Sequence, residues 1–393
     1  MGKRALPILG AVGVLLLMLT ASAGAQERIV AVGDIHGSYP QLARILQQTK
    51  LIGQDLQWMG GSSVLVQIGD VPSRGKQSRQ CLDLLMELER QAPSQGGRVL
   101  PLLGNHEVMV MAGDLRYLMP EDFRDFAAER SEEVRDRAYS DYENFLSERD
   151  RRRLSHSQGR SSRASWFAEH PLGFFEYRDA FGPDGLYGRW LRQHDAIAQV
   201  GDVLFLHAGL SPRLKFRDIR QLNERIRSEL ARFDSIWKSL REKRIIWRYM
   251  TLDEAQREAR EELVALESRG EARDTEAISQ MQELLSISGW LLFSPDGPLW
   301  YRGYAVEPEE ALAGYLDKTM SRLKVQHIVA AHTITDSRRI TPRFSNRVFL
   351  IDTAMMLDGA GGRASALEIL NGRFIAHYSG GKQQVLLAPA GVE

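Results

Sequence analysis

The 393-residue sequence holds a single cysteine, Cys81. One thiol excludes an intramolecular disulfide framework, and it removes the cysteine-rich zinc and iron–sulfur sites from consideration. Stability must come from a packed core and from any bound metal. Cys81 lies in the helix-like run Cys81-Leu82-Asp83-Leu84-Leu85-Met86 and reads as a buried structural thiol. Neither sign of charge is in excess: 51 basic and 51 acidic residues give a formal net charge of +0. That removes a global electrostatic pull toward nucleic acid or an anionic membrane, so no nucleic-acid partner is expected. Internal repeats are lacking. Long apolar runs are lacking too, apart from residues 8–19.

That one run has the layout of a secretory signal. Lys3 and Arg4 precede it, and the small residues Ala23-Gly24-Ala25 follow it. It is shorter than the roughly 20 apolar residues a permanent span needs. Residues 1–25 are therefore expected to be cleaved, giving a periplasmic or secreted protein with no permanent membrane anchor. An uncleaved anchor is the alternative.

What the sequence does have is a hydrophobic content of 43% and a recurring construction. Short apolar runs alternate with helix-like segments and end in polar, glycine-flanked turns. Residues 28–32 read as a strand ending at Gly33-Asp34-Ile35-His36-Gly37, and residues 39–48 as a helix. Residues 64–68 read as a second strand, ending at Gly69-Asp70-Val71-Pro72-Ser73-Arg74-Gly75. Residues 98–103 read as a third, made irregular or edge-like by Pro101 and ending at Gly104-Asn105-His106-Glu107. This βαβαβ order predicts an α/β core with its site at the strand C-termini.

Residues 114–163 and 218–288 are charged and helical, and read as insertions in a single domain over residues 26–393. The first insertion is either a lid or substrate rim, or a solvated helix pair. The aromatics between residues 166 and 195 read as core. Residues 197–200 and 203–206 form an expected hairpin around Gly201-Asp202, running into His207-Ala208-Gly209-Leu210. Further strands end at His332-Thr333 and at Asp352-Thr353, and Asn371-Gly372 marks a type I′ hairpin.

Asp-x-His alone is a weak signal. Here five strand ends carry potential metal ligands: Asp34 with His36, Asp70, Asn105 with His106, His207 and His332. Two carboxylates, several imidazoles and an amide exceed the needs of one tetrahedral ion. They suit two ions sharing a carboxylate, roughly 3.5–4 Å apart. The mixed nitrogen and oxygen set suits manganese, iron or zinc. His156, His170, His194, His327 and His377 lack such settings, and Glu107 reads as a supporting carboxylate rather than a ligand.

In this order the motifs resemble the calcineurin-like metallophosphoesterases of the phosphoprotein phosphatase type. The Trp300-Tyr301-Arg302-Gly303 segment and the leader make the bacterial Shewanella-like branch the most similar in appearance. The resemblance implies a β-sandwich of two mixed sheets flanked by helices. It also implies residue roles. Asp34 and His36 would hold a first metal, Asp70 would bridge, and Asn105, His207 and His332 would complete the second. Arg74 and Arg302 would clamp phosphate, and His106 would protonate the leaving oxygen. The implied activity is hydrolysis of phosphoproteins or small phosphoesters, with two metals activating a bridging hydroxide for in-line attack. Hydrolysis of dinucleoside polyphosphates and a catalytically weakened phosphate-binding module are the alternatives. One departure stands out: Ser73 occupies the position where the family motif carries a second aspartate, which orients the histidine and stabilises its protonated form. Serine brings no negative charge. The acid should be weaker, so substrates with good leaving groups should suffer least.

Overall fold

A computed structural model describes residues 27–153, 162–269 and 274–389. The expected leader lies outside these residues, as do His156 and most of the polar stretch after residue 153. No helix among the described residues is long and apolar enough to cross a membrane.

Among the described residues, eleven strands form two sheets: β1 (Ile29–Val32), β2 (Val64–Gln67), β3 (Arg98–Pro101), β4 (Ile197–Val200), β5 (Val203–Leu206), β6 (His327–Ala330), β7 (Thr341–Arg343), β8 (Val348–Leu350), β9 (Ser365–Leu370), β10 (Arg373–Tyr378) and β11 (Lys382–Leu387). One sheet has the order β11-β10-β9-β1-β2-β3 and the other β4-β5-β6-β8-β7. Each contains a parallel triplet, β1-β2-β3 in the first and β5-β6-β8 in the second. The remaining neighbours pair antiparallel. The expected sandwich of two mixed sheets is the architecture found.

Side-chain alternation shows why the central strands read as unbroken apolar runs. Ile29 and Ala31 of β1, Val64 and Val66 of β2, Phe205 of β5 and Phe349 of β8 point between the sheets. Val30, Val32, Leu65, Leu204 and Leu350 point outward under the helices. Strands covered on both faces need apolar residues at every position. Proline-bearing β3 sits at a sheet edge, where a missing N–H donor is tolerated.

The helix Tyr39–Gln48 has the predicted bounds and buries Leu42, Ile45 and Leu46. Asn371 and Gly372 take φ values of 50° and 72°, as the predicted β9-β10 turn requires. The aromatics after residue 166 do form core: Phe174, Phe175, Tyr177, Phe181, Tyr187 and Trp190 are buried. The charged stretches fold into long helices, chiefly Ser131–Arg153, Ile219–Glu242 and Leu252–Ser268. They are tied to each other as well as to the core. Arg149 meets Glu258 at 2.7 Å, Arg152 meets Glu262 at 3.0 Å, and Arg153 meets Glu258, Glu261 and Glu262 at 2.8–2.9 Å.

Candidate metal centre

Both parallel triplets aim their C-terminal ends at one cleft. Asp34 and His36 follow β1, Asp70 follows β2, and Asn105 and His106 open the helix Asn105–Ala112 directly after β3. His207 follows β5, His332 follows β6 and Asp352 follows β8. The two sheets are stitched at this point. His207 Nδ1 bonds the Ile68 carbonyl across the sandwich at 2.8 Å. The His332 N–H donates to Asp34 Oδ1 at 3.1 Å.

The loops are tight because backbone must approach backbone. A side chain at Gly75 would collide with the His36 carbonyl, and one at Gly104 with the Asp70 carboxylate. The turns also force non-glycine residues into left-handed conformations: His36, Asp70, Ser73, Arg74 and His332 have φ between 47° and 67°. Such backbone is costly and persists only where its surroundings over-determine it.

Ligating atoms face one another around Asp70. Its Oδ2 lies 3.7 Å from His36 Nε2 and 3.8 Å from His106 Nε2, and its Oδ1 lies 3.3 Å from His207 Nε2. His207 Nε2 also stands 2.9 Å from Asn105 Oδ1 and 3.1 Å from His332 Nδ1. Asp34 Oδ2 is 3.8 Å from His36 Nε2. Two clusters have metal-holding geometry, His36-Asp70-His106 and Asp70-His207-His332, and they share Asp70. His332 Nε2 is buried without a partner. Lone pairs converging at these distances, with too few protons to join them, are what a cation satisfies. The donor set is imidazole, carboxylate and amide, and it fits a pair of metal ions.

The local electrostatics carry the same strain. Burial, then the Asp352 and Asp70 carboxylates, push the Asp34 carboxyl well above the usual range. Burial works against Asp70 as well, yet the imidazoles of His207 and His106 hold it well below that range. Burial would lower His207, but Asp70 overcomes it and holds the ring up at about 10. Burial and the charged His207 push His332 down to about 2. Burial pushes His106 down to about 3.

Glu107 binds backbone. Its carboxylate accepts from the N–H groups of Asp70, Val71 and Gly104 at 2.7–2.8 Å, fixing two ligand loops together. Ser73 Oγ meets His106 Nδ1 and donates to the Pro72 carbonyl at 2.7 Å. With its own proton committed, the hydroxyl accepts from the ring Nδ1–H and leaves His106 Nε2 facing the cleft.

The cleft holds about 320 Å³ and includes Asp34, His36, Asp70, Arg74, Asn105, His106, Arg302 and His332 in its wall. His207 lies beneath them, fully buried. Among the described residues no carboxylate is within ion-pair distance of Arg74, whose guanidinium lies 4.8 Å from the Tyr117 ring. Arg302 faces the same cleft, though its Nη1 bonds the His332 carbonyl at 3.0 Å and Thr333 Oγ1 at 3.1 Å. His170, His194, His327 and His377 bond elsewhere.

The structure adds residues to the site that the sequence reading did not. Asp352 is 3% exposed and faces Asp34. Its position just past an apolar strand was the available signal. Tyr117 stacks on His106 with ring centroids 5.2 Å apart. It comes from the first charged stretch, and nothing in its local sequence marks it.

The calcineurin-like phosphoesterase pattern matches residues 27–336 of the chain. The chain belongs to this family. Within it, the chain is similar to Shewanella-like protein phosphatase 2 of Arabidopsis thaliana, at 29% identity over 53% of this chain and 52% of that protein. Similarity to Shewanella-like protein phosphatase 1 of Plasmodium berghei is 24% identity over 56% of this chain and 51% of that one. The matches thus span about half the length of these curated relatives. A solved cold-active protein-tyrosine phosphatase of a psychrophilic Shewanella species superposes with a TM-score of 0.57 at 26% identity, covering 92% of this chain and 81% of that one.

Proposed function

We propose that this chain is a two-metal phosphomonoesterase that favours aryl phosphates, the phosphotyrosine side chain foremost among protein substrates. The observation that carries the reading is Asp70 shared by two ligand clusters in the cleft that Arg74 lines, an arginine with no carboxylate partner among the described residues. Asp34, His36, Asp70, Asn105, His207 and His332 would hold the ions, with Asp352 supporting Asp34. When bound, two ions supply charge neutralisation at phosphate and an activated water nucleophile.

The chain's own residues do the rest. Arg74 offers a planar fork of donors to phosphate oxygens. Arg302 stands across the cleft, held by the His332 carbonyl, and adds a second positive charge. His106 presents Nε2 to the leaving oxygen. It donates a proton only as an imidazolium, and the neutral Ser73 hydroxyl stabilises that form less than a carboxylate would. A leaving group needing little protonation is therefore favoured, and a phenol, with a pKa of about 10, is one. Tyr117, Trp300, Met355, Met356 and Leu357 in the cleft wall give an aryl group an apolar surface to rest on. The similar Shewanella structure is that of a protein-tyrosine phosphatase, which supports the same preference. The phosphoanhydride of a dinucleoside polyphosphate has a good leaving group too, and is the reading to be tested beside it.

Metal analysis and steady-state rates on a phosphotyrosine peptide, a matched phosphoserine peptide and diadenosine tetraphosphate test the proposal. The expected result is close to two metal equivalents and fastest turnover of the phosphotyrosine peptide. Asp70→Asn should lose metal and at least about 10³-fold in kcat/KM, since the shared ligand serves both ions. Metal-dependent turnover that survives this change would overturn the bridging assignment. Faster turnover of diadenosine tetraphosphate would move the substrate class to phosphoanhydrides.

A further inference from the structure

A second cavity, about 430 Å³ in volume, lies away from the metal cleft and shares no wall residue with it. Helices Phe174–Phe181 and Ile219–Glu242 contribute to its wall, as does the turn that follows the second. The C-terminal end of helix Asn105–Ala112 completes it through Met111 and Ala112.

Its charges do not cancel. Arg178 donates one hydrogen bond, from Nη2 to the Met250 carbonyl at 3.1 Å, and its enclosed Nε has no partner. No carboxylate among the described residues lies within ion-pair distance of Arg178 or Arg241. The wall carboxylates are occupied or peripheral. Asp234 is taken by Arg192 through two bonds of 2.8 Å. Asp179 is taken by Arg248 at 2.6 Å and by the Tyr249 hydroxyl at 3.1 Å. Asp184 is exposed at the rim. Burial lowers the Arg178 guanidinium to about 10, which still leaves it charged at neutral pH. A cation near a helix C-terminus is ordinary, because the helix dipole favours it there. An enclosed N–H with no acceptor is not, because an unmet buried donor costs on the order of 1–3 kcal/mol.

The remaining wall combines Ser235 and Lys238 with three aromatic side chains. Phe233 is buried, and Trp237 and Tyr249 are half-buried beside the two arginines. A cavity of several hundred Å³ with aromatic walls and a few convergent polar groups is the form of a small-molecule site. We propose that this cavity is a second, non-catalytic binding site for a small organic anion, one that places a carboxylate-like group on Arg178 and Arg241 and a planar apolar body against Trp237 and Tyr249.

The probe is 2-naphthoate, titrated calorimetrically into the metal-loaded full chain with inorganic phosphate saturating the catalytic cleft. Saturable binding at one equivalent is expected. Neutral 2-naphthol should bind at least about tenfold more weakly, because it forfeits the charged hydrogen bonds. Arg241→Ala should weaken 2-naphthoate by a similar factor with only a small drop in melting temperature, since that side chain has no ion-pair partner among the described residues and gives up only its favourable place in the last turn of its helix. Loss of naphthoate binding when phosphate is added would place the probe in the catalytic cleft and overturn the proposal. So would equal affinity for 2-naphthol, undiminished binding by Arg241→Ala, or no saturable binding. Turnover of phosphoesters enters none of these outcomes, so this test and that of the proposed function fail separately.

Discussion

A hydroxyl stands beside the ring nitrogen of His106 where the related motif places a carboxylate. Ser73 Oγ accepts from Nδ1–H, so ring orientation is retained while the negative charge is lost. Aspartate fits the same backbone, because φ at this position is 67° and aspartate tolerates the left-handed region better than serine does. Ser73→Asp should raise kcat/KM on a phosphoserine peptide by about tenfold or more, a part of the ~10²–10⁴ available from general acid catalysis. The gain on the matched phosphotyrosine peptide should be several times smaller. Equal gains on both would refute the link between Ser73 and leaving-group preference. At this scale the sequence was informative where chemistry and position coincide. Asp34, His36, Asp70, Asn105, His207 and His332 each follow an apolar strand, and converging strand ends bring them together. Asp352 has the same placement but no histidine or glycine signature around it. Tyr117 reaches His106 through tertiary packing alone, which no local pattern encodes.

Among the elements, the helices Ser131–Arg153 and Leu252–Ser268 act as a pair. Arg153 is 7% exposed at its side chain and meets three glutamates, two of them also largely buried. Breaking a buried ion pair outright costs about 3–5 kcal/mol, and here Arg149 and Arg152 stay on Glu258 and Glu262 and hold the loss to the low end. Arg153→Ala should therefore lower unfolding stability by about 3 kcal/mol in denaturant titration. An effect below about 1 kcal/mol would class the cluster with exposed ion pairs, which contribute little. The charge run itself was readable, but its partner was not, because the glutamates lie more than 100 residues away. The two strands that escaped prediction have a local cause. β7 is Thr341-Pro342-Arg343 and has no apolar run, β11 opens on the polar Lys382-Gln383-Gln384 and turns apolar only over Val385-Leu386-Leu387, and both are edge strands held by one neighbour.

For the molecule as a whole, acid stability follows from a polar staple within the larger sheet. Glu368 of β9 bonds His377 of β10 at 2.6 Å and Arg28, just before β1, at 2.6 Å. The His377 hydrogen bond chiefly, with Arg28 assisting against burial, lowers the Glu368 carboxyl from 4.5 to about 2. A carboxylate depressed by folding stabilises the native state above its unfolded pKa and loses that contribution as pH falls through the folded value. The wild type should melt above Glu368→Gln at about pH 6, with the gap narrowing below about pH 4.5 and closing near about pH 2. A gap independent of pH would assign the effect to packing.

The left-handed backbone at His36, Asp70, Ser73, Arg74 and His332 has a consequence for anyone who evolves this protein in the laboratory. Glycine at His36, Ser73, Arg74 or His332 relieves a conformational cost of roughly 1 kcal/mol or more, and at the two histidines it also removes a crowded ring. Selection on melting temperature without metal would therefore enrich glycine at positions proposed to hold the ions. A heat-selected lineage would harden and fall silent together, and only a screen that couples heat challenge to turnover would keep the two properties in one molecule.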